Sequence, residues 1–255
     1  MTGTDTSLSR IGLALTYGAI CHGIFALAGL AMLVGLFTGM QSGFGAVPQP
    51  YAWAVNLLLL LQFPLAHSAL LTPQGRKVLA RLAPAPHGVT LATTSYATIA
   101  SLQLLILFTL WTPSGVVLWR AEGAAFWTLC LCYAGSWLLL TKASFDAGPS
   151  VQSGALGWIA LLRGRRPVFP DMPERGLFRL VRQPIYVAFA LTLWCVPVWT
   201  PDQVLVASVY TVYCITAPRL KEQRFLKIYG DRFRAYQARV PYWIPLLQRR
   251  RQNDA

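Results

Sequence analysis

Arg182, Gln183, Pro184 and Tyr186 stand close together in GLFRLVRQPIYVAF, and Glu222, Tyr229 and Gly230 in RLKEQRFLKIYGDRFRAYQARVPYWIP. An arginine stays charged, and its planar fork can give two hydrogen bonds to one carboxylate. A glutamate does the converse and accepts from ammonium or hydroxyl groups. Tyr186 follows Arg182 by four residues, which predicts one helix face. Pro184 at a first helical position would fix the entry without wasting a donor. Together these groups suit a small ligand bearing both charges. A second set, Pro64, His67 and Ser68, follows i, i+3, i+4 spacing and reads as a kinked polar face, a pocket wall. Each set has a plainer reading. Arg182 could snorkel at a membrane interface. Glu222 could pair with Lys221, Arg219 or Lys227 in solvent, and His67 could bond between helices. Tyr229, Phe233 and Tyr236, spaced by three to four, read as the apolar face of an interfacial helix.

What positions the first two groups is a hairpin. The chain runs apolar from Pro184 to Trp199, turns at Thr200-Pro201-Asp202, and runs apolar again from Val204 to Pro218. Both charged ends then meet at one membrane face, and a pocket between them is half in lipid and half in water. Four further apolar stretches, near Ile11–Phe37, Ala52–Leu71, Val89–Trp111 and Ala124–Ala143, frame it. The expectation is an all-α polytopic membrane protein with about six transmembrane helices, 1–255 forming one membrane domain. Spans one to four fall within 1–143, and the hairpin with its tail is 176–245. A span needs roughly 20 residues, so the last two are short.

The composition agrees: 55% of the 255 residues are hydrophobic and 12% charged. The net charge of +13 does not point to nucleic acid, because of where it falls. With six spans and a cytoplasmic N-terminus, every one of the 22 lysines and arginines except Arg120 lies on the inner side. This predicts both termini in the cytoplasm of a cell with an inner membrane, the basic face meeting lipid headgroups. The first span is too long for a secretory h-region. The five cysteines (Cys21, Cys130, Cys132, Cys195, Cys214) all fall in apolar spans and read as buried thiols, with no metal site. Gly35 and Gly39 have helix-pairing spacing. Trp111 and Trp199 end outward spans, where interfacial aromatics belong. Thr72-Pro73-Gln74-Gly75 breaks span two before an inner loop, Arg76–Pro86. The prolines of RGRRPVFPDMPERG exclude a helix from that long inner segment, which reads as a lid or a strap.

Arg182, Pro184, Tyr186, Glu222, Tyr229, Gly230, Tyr236, Arg239, Val240, Pro241 and Pro245 keep step with a known pattern. The chain resembles the isoprenylcysteine carboxyl methyltransferase superfamily, and within it the bacterial branch of methanethiol S-methyltransferases and NnrU-like proteins. That branch also has a His-Ser pair in its second span, matched here by His67-Ser68. The resemblance implies a membrane methyltransferase using S-adenosylmethionine. It gives catalytic roles to Arg182, Gln183 and Tyr186, and cofactor contacts to these with Pro184, Glu222 and Tyr229. His67 and Ser68 would line the pocket of a small or lipophilic acceptor, most simply a thiol. No GxGxxG follows a strand, so the donor would need a cradle other than the soluble dinucleotide fold. Two positions depart from the pattern: Gln183 stands where relatives have histidine, and Lys221 where they often have a first glutamate. Glutamine can hydrogen-bond but cannot titrate near neutrality. A thiol, titrating near 8.5, tolerates this better than other acceptors. The branch also implies a different reading, a non-transferase protein with haem on His67 or His22, and a methyltransferase fold without activity.

Overall fold

The computed structural model describes residues 2–245, with side chains from Leu8 onward. The predicted Met1 and Ala255 ends and the basic run Arg249–Arg251 lie outside the described residues. The protein is an all-α polytopic membrane protein. Four helices are long and apolar enough to cross a membrane: Leu8–Phe37, Tyr51–Leu70, Gly88–Leu110 and Gly123–Asp146. The chain divides into two compact units, Met1–Gly115 with Pro149–Phe169, and Val116–Gly148 with Pro170–Ala255.

In the first unit, α1 (Thr2–Phe37) packs along α4 (Gly88–Leu110), with α2 (Tyr51–Leu70), α3 (Pro73–Arg81), α6 (Pro149–Gln152) and α7 (Ala155–Leu162) around them. Close approach explains two glycines of α1. A Cβ on Gly35 would stand 2.7 Å from Phe108, and one on Gly18 2.8 Å from Trp158. Gly39 is not a pairing glycine. It lies beyond the helix end with φ +65°, where glycine closes a helix at least cost. Trp111 is fully buried instead of interfacial. The loop after α1 covers it, Gly45 N–H donating to its carbonyl at 3.0 Å. The segment read as a loop after span two begins as helix α3. Thr72 caps it, accepting from Gly75 N–H at 3.1 Å, and Pro73 takes the first position.

The second unit holds α5 (Gly123–Asp146), a 3-10 turn (Gly176–Arg179), α8 (Pro184–Trp194), α9 (Pro201–Tyr229) and α10 (Asp231–Arg239). The hairpin forms, but its halves are unequal. α8 has 11 residues, about 16 Å of helix, and the chain from Cys195 to Trp199 continues without helix. There a two-residue strand β2 (Val198–Trp199) pairs antiparallel with β1 (Trp119–Arg120), Trp119 opposite Trp199. α9 continues past Pro218 into the charged segment, 29 residues in all. Two bonds fix the hairpin: Thr200 caps α9 by accepting from Gln203 N–H at 2.9 Å, and buried Gln203 Nε2 donates to Leu193 O at 2.7 Å. Gly230, with φ +51°, breaks α9 from α10. The cysteines are all free, but only Cys21 and Cys214 are buried. Cys130 and Cys195 are half-buried, and Cys132 lies on the exposed side of α5, because its turn faces away from the unit's core.

Candidate functional site

The hairpin brings Arg182, Gln183 and Glu222 together, as the sequence predicts. Arg182 precedes α8, and Gln183 is that helix's N-cap residue. Arg182 N–H donates to Pro241 O at 2.9 Å, so the tail is threaded against the hairpin's entry. Its guanidinium donates through Nε to Glu222 Oε1 at 2.9 Å and through Nη2 to Oε2 at 3.5 Å. Nη1 donates to the carbonyls of Gln237 (3.0 Å) and Val240 (2.7 Å), and Tyr242 lies under the guanidinium with its ring centroid 5.4 Å away. Gln183 Nε2 donates to Glu222 Oε1 at 2.8 Å, and Gln237 Nε2 to Oε2 at 2.7 Å. Glu222 therefore accepts from three residues in two elements besides its own. The Arg182 contact is the charge-assisted one of the three.

A small pocket opens beside this knot. It is lined by Pro173, Phe178, Gln183, Lys221, Phe225 and Tyr236, with Arg182, Glu222 and Phe233 completing the wall. Its empty space is about 210 Å³, mouth included. Lys221 Nζ lies 5.5 Å from the ring centroids of both Phe178 and Phe225, a cation over two aromatic faces. Its polar contact is with Gln183 Oε1, 3.4 Å away. Burial lowers the Lys221 pKa to about 8, outweighing neighbouring Glu222, which raises it. Tyr236 donates to Phe178 O at 2.7 Å, and burial holds its hydroxyl well above the usual tyrosine range. Behind the pocket, buried Met172, Phe233, Tyr236 and Val240 form one cluster, which fastens the proline-rich segment to α10. Arg232 holds the same segment from outside through Asp171 (2.7 Å) and Glu174 (2.8 Å).

Other predicted residues fall elsewhere. Tyr186 does not share a helix face with Arg182, because Arg182 lies before the first helical residue. Neither Tyr186 nor Pro184 lines the pocket, and Tyr229 packs behind it, edge-on to Phe225 at 5.4 Å. His67 and Ser68 belong to the first unit. There the Tyr96 hydroxyl and His67 Nε2 are 2.6 Å apart, and Gln62 and Gln103 exchange bonds at 2.8–3.0 Å, so α2 is tied to α4. His22 Nε2 accepts from Trp158 Nε1 at 3.0 Å. Among the described residues no cluster of three or more His, Cys, Asp or Glu side chains occurs.

Phe178, Phe225, Gln237 and the pocket role of Lys221 escape the sequence reading. Phe178 sits in a short 3-10 turn with no period to mark it. Gln237 follows Phe233 by four on α10, one turn further along the helix side that meets α9, and that spacing was the available signal.

The chain is similar to methanethiol S-methyltransferase 1 of Bradyrhizobium diazoefficiens, 28% identical over 251 residues, 95% of this chain and 86% of the relative. It is 29% identical to a methanethiol S-methyltransferase of Pseudomonas deceptionensis over 85% of this chain and 81% of the relative. It is 31% identical to nurim of Rattus norvegicus over 187 residues, 69% of each chain. No family model matches the chain, and no solved structure does.

Proposed function

Because the chain belongs to the isoprenylcysteine carboxyl methyltransferase-like family and is a methyltransferase, we propose that it moves a methyl group from S-adenosylmethionine to a small thiol. The observation that carries this reading is the aromatic cradle. Phe178 and Phe225 already hold one cation, the Lys221 ammonium, over their faces. A sulfonium fits the same faces by the same attraction. The closed pocket leaves room for little more than a water molecule, so in this reading the side chains of its wall move apart to admit the donor's charged end. The relatives named for methanethiol, matching most of the chain, supply the acceptor class.

In this reading S-adenosylmethionine supplies an electrophilic methyl group on sulfur. Phe178 and Phe225 would hold its positive end, and Gln183 would orient it from the pocket wall. Arg182 and Glu222, engaged with each other and the tail, position Gln183 and close the wall behind it. Holding the reactants in line is the main service, on the order of 7–11 kcal/mol at best. Calorimetry of the detergent-purified protein tests the donor, and product analysis with a small thiol and a prenylated cysteine carboxylate tests the acceptor. Binding of the donor with methylation of the small thiol is expected. A protein that ignores the donor, or prefers the carboxylate, refutes the proposal.

Gln183 gives a second test. Its amide donates to the Glu222 carboxylate, which is paired with Arg182, so Gln183→Ala should cost about 1.5–3 kcal/mol in stability, as for hydrogen bonds to charged groups. Gln183→His, which can donate to Glu222, should keep turnover with a small thiol. Turnover that instead appears with histidine and follows its titration near pH 6.5 would make the native residue a loss of function.

In the same reading the site faces the cytoplasmic leaflet of the inner membrane, which the distribution of basic residues supports. Reporter fusions after Gln41 and after Arg120 should read as external, and fusions after Arg166 and Pro245 as cytoplasmic. A cytoplasmic signal after Arg120 would sink this topology.

A further inference from the structure

Methylating a neutral thiol releases a proton, and the pocket wall offers few groups to take it. Arg182 is permanently charged and bonded on Nε, Nη1 and Nη2. Glu222 accepts at both oxygens from Arg182, Gln183 and Gln237. Gln183 does not titrate. Tyr236 gives its proton to a backbone carbonyl and is a poor base at neutral pH. Lys221 differs from all of these. It lies past Pro218, beyond the apolar part of α9, and lines the pocket, with Nζ 5.5 Å from the Phe178 and Phe225 ring centroids. Among the described residues it makes no salt bridge, since the neighbouring carboxylate is already occupied. Its ring and hydrogen-bond contacts are two phenyl faces and one amide oxygen.

We propose that Lys221 Nζ, as the neutral amine, is the base that takes the proton of the acceptor thiol. This rests on the thiol-methylation reading above. The thiol S–H bond breaks and its proton joins the Nζ lone pair. The sulfur keeps the bonding pair and forms the new bond to the methyl carbon. The pair of the broken donor C–S bond stays on the donor sulfur and cancels its positive charge. Lys221 then returns its proton to water.

The charges around Nζ are suited to this. Desolvation favours the neutral amine and brings the pKa to about 8, close to an ordinary thiol near 8.5, so transfer is nearly level. On its own helix Glu222 favours the ammonium and Arg224 opposes it. Arg182, before α8, and Tyr236, on α10, are the other titratable or charged groups of the wall. A sulfonium on the same two rings would repel an ammonium, so binding of the donor itself would prepare the base.

Competitive acetylation of the full-length detergent-purified protein, with Lys221 read by mass spectrometry across the alkaline range, gives its pKa without turnover. A midpoint near 8 is expected, lower with S-adenosylmethionine present than with its neutral demethylated product. A midpoint near 10.4, that of a free lysine, overturns the proposal. Lys221→Met should lower turnover of an alkyl thiol about 100-fold or more at neutral pH, the usual share of a general base. Turnover of an acidic aromatic thiol, already ionised, should be spared. Lys221→Arg, which keeps the charge but takes no proton, should behave like Lys221→Met. Equal losses for both thiols, or no loss for either, overturn the base while leaving thiol methylation standing. A native protein that methylates neither thiol overturns both.

Discussion

Glu222→Ala is expected to be the most damaging single change in the second unit, costing about 3–5 kcal/mol of stability as for a broken buried ion pair. The pair with Arg182 is nearly buried, with 12% and 11% of the two side chains exposed. Removing the carboxylate takes the acceptor from Arg182 Nε and Nη2, from the Gln183 amide and from the Gln237 amide, and leaves the guanidinium charge with two backbone carbonyls alone. A buried charge without its partner costs far more than the pair contributes when intact. Donor binding should fall with stability, because the same knot holds Gln183 against the pocket and the tail against α8. Glu222→Gln keeps the shape but loses the charge, and one of its two atoms is a donor where an acceptor is needed. It should fall between native and alanine. Thermal unfolding in detergent, with calorimetry of the donor well below each midpoint, separates the two losses. A Glu222→Ala protein as stable as native, with weakened binding alone, would make Glu222 a ligand contact and not a structural tie.

That distinction shows what the sequence could and could not say. The meeting of Arg182, Gln183 and Glu222 was legible, because a hairpin of two apolar runs must bring its charged ends to one face. Their roles were not. A fork of donors on Arg182 suits a ligand carboxylate as well as it suits Glu222 with two backbone carbonyls. The choice depends on where Gln237, Val240 and Pro241 come to rest, and no local pattern fixes that. The apolar helices were legible for the same reason that Lys221 was misjudged. Composition over twenty residues is a strong signal, whereas one lysine three residues past a proline reads as the start of a solvated face. It lies in a pocket because Gly230 turns the chain and brings α10 back along α9. In the first unit, Thr72-Pro73 carried a helix-start signature but was read as a break, since Pro is common to both. The place of Trp111 at the end of a span points to an interface, but the loop covering it has no period to betray it.

Phe233→Ala should come next in size, at about 3–5 kcal/mol, the range for a buried phenylalanine truncated to alanine. Phe233 is 2% exposed and packs with Met172, Tyr236 and Val240, its ring edge-on to Phe225 at 5.6 Å. With Tyr236 it gives α10 its share of one small core with the proline-rich segment. A short helix of nine residues does not persist on its own in water, so α10 depends on this contact to stay in place. The consequence reaches the pocket by two routes. Phe233 itself forms part of the wall, and α10 carries Gln237, whose amide and carbonyl hold Glu222 and Arg182. Phe233→Leu retains apolar volume and should lose less on both counts. Arg234→Ala on the same helix is the control. Its side chain is 71% exposed and pairs only with Asp231 three residues earlier among the described residues, so its loss should stay within about 0.5 kcal/mol. Unfolding midpoints of the three variants, with proteolysis at Gly230 as a local probe, decide the matter. If Phe233→Ala and Arg234→Ala unfold alike, α10 is not held by this core, and the wall it lends to the pocket must be fixed from the hairpin side alone.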